Sequence, residues 1–109
     1  MPIGRVNSTR IELAFGSTIT VVPAANHTEF TTVALTGNVT FDVTVTKSEE
    51  GDTMRVIFVS DGSIRTITLG AGQINAATTI VTVASTNVIV DYVFSGALFN
   101  ETSRTIAAL

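Results

Sequence analysis

At 109 residues and without a cysteine, the chain is sized for one hydrophobic core and carries no disulfide framework, thiolate nucleophile or zinc–thiolate site. Charged residues make up only 14% of it, well below the roughly 25% of an average soluble domain, so Thr, Ser, Gly and apolar atoms must cover much of the surface. The net charge of −3 and six scattered Lys and Arg residues argue against nucleic acid as a partner, and no apolar run approaches the roughly 20 residues of a spanning helix, which argues against membrane insertion.

The first sixteen residues stand apart and predict an N-terminal arm over 1–16, ahead of a β-domain over 17–109. Pro2 and Gly4 disfavour a regular start, Arg5 and Arg10 offer charged hydrogen bonds, and Ile11, Leu13 and Phe15 offer apolar anchors, so these five side chains are the candidate docking residues. The same stretch also reads as a frayed terminus followed by an ordinary edge strand.

Beyond the arm the sequence is dominated by β-branched residues, which suit a pleated, half-buried surface. Strands are expected at Ser17 to Val22 and Thr28 to Leu35, separated by Pro23 and Asn26. Val39 to Thr46 alternates strictly, with Val39, Phe41, Val43 and Val45 on one face and Thr or Asp on the other. Asp52 to Ser60 sets Met54, Val56 and Phe58 against Ile57 and Val59, so both faces should be covered. Asp61-Gly62 then predicts a tight hairpin turn into Ile64 to Leu69.

Further strands follow at Thr78 to Ala84, Asn87 to Phe94 and Ala97 to about Ser103, ending in an apolar tail, Thr105 to Leu109. This spacing predicts an all-β fold: an antiparallel β-sandwich of about eight strands, jelly-roll-like, with Phe41, Val43, Val56, Phe58, Ile67, Val90, Tyr92 and Phe94 in its core. Ile57, Val59 and Ile89 would lie on the opposite strand faces and are the candidate oligomer interface.

Little in the sequence points to reaction chemistry. His27 is a lone imidazole beside Asn26 and Thr28, and reads as a surface-turn residue. Glu49, Glu50 and Asp52 surround Gly51 without the alternate-position spacing of a calcium loop, so a solvated turn is expected. Thr-x-Thr pairs at Thr18/Thr20, Thr44/Thr46 and Thr66/Thr68 hint at an ice-binding face, but no fixed repeat period supports one. Gly70-Ala71-Gly72 lacks a phosphate-loop lysine, and the sequons at Asn7, Asn26, Asn38 and Asn100 are expected in a Thr-rich chain. No catalytic, metal or cofactor residue is assigned.

Two stretches carry a resemblance. Glu50-Gly51-Asp52-Thr53-Met54-Arg55-Val56-Ile57-Phe58-Val59, followed by Arg65-Thr66-Ile67-Thr68-Leu69-Gly70, resembles a β-domain of tailed-bacteriophage virion proteins, in which a Gly-Asp-Thr turn feeds an apolar strand. Tyr92 to Thr105 is similar to that family's closing hairpin, with Ser95 where Asp is usual and Phe99 where Trp is common. The resemblance spans about Phe30 to Thr105 and implies a virion part rather than a reaction.

A free-standing copy of such a domain implies a capsid decoration or head-fibre protein, made in the host cytoplasm and resident in the virion. The partners it implies are the chain itself, as a homotrimer, and other virion proteins such as the major capsid protein. A tail-tip module recognising a host glycan or protein is the competing expectation, disfavoured by the absence of Trp and the single Tyr.

Overall fold

The computed structural model describes residues 7–82 and 86–108, which form ten strands and no helix. In chain order these are β1 (Ser8–Leu13), β2 (Thr18–Val21), β3 (His27–Thr32), β4 (Val39–Val43), β5 (Thr53–Val59), β6 (Thr66–Leu69), β7 (Gln73–Ile74), β8 (Thr79–Val81), β9 (Thr86–Phe94) and β10 (Phe99–Ala108). They build a six-stranded sheet in the order β1-β3-β5-β9-β10-β7 and a four-stranded sheet in the order β2-β4-β6-β8.

The all-β expectation holds, whereas the antiparallel, jelly-roll-like arrangement does not. From β1 to β6 the chain alternates between the two sheets, and each strand pairs in parallel with the one two places on: β1 with β3, β3 with β5, β2 with β4 and β4 with β6. The outcome is a solenoid-like stack of coils. Antiparallel pairing begins only where β9 and β10 fold back on β5 and where β8 closes the smaller sheet.

The physical reason lies in the turns, which cross the thickness of the stack instead of joining neighbouring strands. Asp61-Gly62 shows this best. Gly62 has a φ of +94°, as a tight turn requires, but β5 and β6 lie in different sheets and never pair, so the expected hairpin is absent. Ser60 is still bridged in parallel to Leu35 of the preceding coil before the chain turns. The Asp61 carboxylate then accepts the Ser63 N–H at 3.0 Å and the Arg65 guanidinium at 2.8 Å, and Arg65 holds its pKa below the usual carboxylate value.

The N-terminal segment is also corrected. From Ser8 it is the edge strand of the larger sheet, in register with β3 from Ser8↔His27 to Leu13↔Thr32, so it belongs to the β-domain rather than to a separate arm. Pro2, Gly4 and Arg5 lie outside the described residues, as do Val83, Ala84 and Ser85 at the end of the strand expected to Ala84. The expected tail strand runs longer, with β10 paired to β9 as far as Ala108.

Alternation places the core between the sheets. Phe30, Val56 and Val90 lie side by side across β3, β5 and β9, and all eight expected core residues are buried. Phe41 and Phe58 meet edge to face across the stack with ring centroids 5.3 Å apart, and Phe94 packs on Phe99 at 4.9 Å. Each such buried side chain contributes about 1.5 to 3 kcal/mol.

Candidate interaction surface

The outer face of the six-stranded sheet carries three registered rows. Its middle row runs Arg10–Glu29–Arg55–Asp91–Ser103 across five strands, alternating in charge until the hydroxyl. Arg10 Nε donates to Glu29 at 2.6 Å, Arg55 Nε donates to Asp91 at 2.7 Å, and the Ser103 hydroxyl donates to Asp91 at 3.0 Å. The hydrogen bond from Arg55 outweighs the burial of Asp91 and lowers its pKa. This row is self-satisfied and exposed, so each pair adds only about 0 to 1 kcal/mol.

The second row is Glu12–Thr31–Ile57–Ile89–Thr105, and beyond it Val59 lies opposite Asn87. Ile57 and Ile89 are therefore direct cross-strand neighbours, and together with Val59 they form a half-buried apolar strip on the outward face. The third row contains His27, which opens β3 instead of sitting in a surface turn; its Nδ1 is 2.6 Å from the Thr53 hydroxyl.

The five expected docking residues do not share one face. Arg10 points outward, while Ile11 lies beside Phe30 on the inner face, where it is left 38% exposed at the sheet edge. Leu13 and Phe15 pack against the core from that same end. They are rim residues of the first coil, and Arg5 lies outside the described residues.

On the smaller sheet, Thr18, Thr40, Thr68 and Thr79 line up across all four strands. Beside them lies an open groove of about 310 Å³ lined by Ser17, Asn38, Val39, Thr40, Thr66 and Thr68. Two of the three Thr-x-Thr pairs, Thr18/Thr20 and Thr66/Thr68, supply this surface. The next rank is broken, because Thr20 lies opposite Asp42.

Sequence reasoning missed a buried polar cluster at the base of the closing hairpin. The Tyr92 hydroxyl donates to Gln73 Oε1 at 2.6 Å and accepts from Asn75 Nδ2 at 2.9 Å; Asn75 also donates to Glu101, which Arg104 clamps through two bonds of 2.8 and 3.0 Å. A β-bulge between Glu101 and Ser103 makes the cluster possible. Residues three apart on a regular strand face opposite ways, and the extra residue turns Glu101 and Arg104 to the same side.

Burial raises the Tyr92 pKa to about 12. Burial also opposes ionisation of Glu101, but hydrogen bonds from Arg104 and Asn75 prevail and its pKa is lowered. The cluster ties β7 and the following loop to β9 and β10, and its bonding capacity is spent within the fold. The pair Glu101-x-x-Arg104 was visible in the sequence, but its shared face depends on the bulge.

The Glu49–Asp52 turn is exposed at Glu49, Glu50 and Gly51, as expected of a solvated turn, and its buried Asp52 carboxylate accepts the Glu49 N–H at 2.9 Å. Among the described residues, no three His, Asp or Glu side chains gather around a position for a metal ion, and no helix is long and apolar enough to cross a membrane. Compared with known protein families and with curated proteins, the chain matches none. The likeness to phage virion domains thus rests on the quoted motifs alone.

Proposed function

We propose that the chain is a non-enzymatic structural protein of a tailed-bacteriophage particle, a capsid decoration or head-fibre protein that attaches to the major capsid protein and to copies of itself. The observation that carries this reading is the outward Ile57–Ile89–Val59 strip, set beside a charged row whose members are already paired with one another. A surface of that kind supports assembly better than turnover, and the motif resemblance gives the assembly its setting. Cosedimentation of the purified chain with emptied capsids tests the reading: saturable binding supports it, and a protein left in the supernatant at every concentration refutes it.

The groove on the smaller sheet favours a second reading, a tail-tip module for a host glycan, because Ser17, Asn38, Thr40, Thr66 and Thr68 present hydroxyl and amide groups there. No aromatic ring lines it, and sugar platforms ordinarily use one. Binding to whole host cells that is lost in Thr40→Val and Thr68→Val would favour this reading over decoration.

A further inference from the structure

Among the described residues the first coil ends the stack in an open strand edge, and its bonding pattern identifies what fits there. In the parallel pairing of β1 with β3, the Asn7 and Leu13 carbonyls accept the His27 and Val33 N–H groups. The backbone groups of the odd-numbered residues between them therefore also face β3. Those of Ser8, Arg10 and Glu12 point the other way, where no described strand pairs with them. The rim has no Pro or Lys in β1, its charges Arg10 (79% exposed) and Glu12 are of opposite sign, and Ile11 brings apolar surface to the end of the core.

We propose that this edge binds a second copy of the chain, β1 against β1 in antiparallel fashion about a twofold axis at Ile11, giving a continuous twelve-stranded sheet across the dimer. The electrostatics choose the register. Residues with outward backbone groups must oppose one another to exchange hydrogen bonds, which leaves registers centred on residue 10, 11 or 12. Centring on 10 opposes Arg10 to its own copy, and centring on 12 does the same for Glu12. Centring on Ile11 opposes Arg10 to the partner's Glu12 twice, on the same outer face, and places the two Ile11 side chains together on the core side.

The contact is isologous, so it closes at two copies and does not propagate. It leaves the outward Ile57–Ile89 strip uncovered. It does not depend on a virion role, and a capsid-binding result of either sign leaves it standing.

Charge reversal tests the register. In sedimentation velocity over a micromolar concentration series, the full chain should form a reversible dimer, whereas Arg10→Glu alone and Glu12→Arg alone should each associate at least tenfold more weakly. Mixing the two variants should restore dimerisation, because the mixed pair regains both attractions while each variant alone has lost them.

Arg10→Glu also sets a second carboxylate beside Glu29, so Glu12→Pro serves as an independent variant. It removes an outward N–H and no bond to β3, and should be folded by circular dichroism and monomeric. A wild-type chain that is monomeric or trimeric, single variants that associate like wild type, or a mixture that stays monomeric would each overturn the proposal.

Discussion

Tyr92 is the one tyrosine of the chain, so its ionisation can be read directly from phenolate absorbance. Its folded pKa of about 12 lies above the unfolded value of 10, which means the folded state holds the proton longer. Stability should be unaffected by this group below pH 10 and should fall between pH 10 and 12, by about 2 to 3 kcal/mol in total. The absorbance titration should rise together with unfolding, and a free-tyrosine titration in a chain that stays folded would contradict the assignment. Thr28 makes the opposite kind of prediction. It is 1% exposed on the inner face of β3, and its hydroxyl has no hydrogen-bond partner among the described residues. Thr28→Val removes that buried hydroxyl with little change of shape and should stabilise the fold by about 1 kcal/mol, read from the denaturant midpoint.

Among the connecting elements, the loop from Gly70 to Gly72 is a tight joint in the stack. Gly70 N–H donates to the Phe41 carbonyl, Val43 N–H to the Ala71 carbonyl, and Phe99 N–H to the Gly72 carbonyl, so the loop is pinned between β4 and β10. Gly72 has a φ of +81°, and a Cβ there would collide with the Val43 carbonyl. Gly72→Ala should therefore cost about 3 kcal/mol or more, combining a left-handed conformation with overpacking, and should lower the melting temperature far more than Ala71→Gly. The sequence marked this segment only as a glycine loop. Strand positions were legible because alternation is local: Val39–Phe41–Val43 and Val88–Val90–Tyr92–Phe94 each predict their own buried face. Strand partners were not legible, because the same alternation serves a parallel and an antiparallel neighbour alike. The coils also differ in length, 19 residues from Ser8 to His27 and 26 from His27 to Thr53, so the stack leaves no sequence period. Asp61-Gly62 was correctly read as a turn and wrongly read as a hairpin for that reason.

Across the whole molecule, the two sheets enclose one aromatic and aliphatic core and leave three surfaces of different character: a paired charge row beside an apolar strip, a threonine face with a groove, and an open edge at β1. The apolar strip was foreseen from Ile57, Val59 and Ile89, since each sits opposite to core residues on its own strand. The open edge was foreseen only as an alternative reading of the arm, because Ile11, Leu13 and Phe15 read alike as anchors for a foreign surface and as the rim of a coil. Sparse charge and a self-paired charge row suit the part of a larger particle that is proposed for this chain. Electron microscopy of intact particles assembled from the genome that encodes it is the deciding measurement. Density for the two-sheet stack is expected at regular sites on the particle surface; particles without such density, from cells in which the protein accumulates free, would rule out the proposed role.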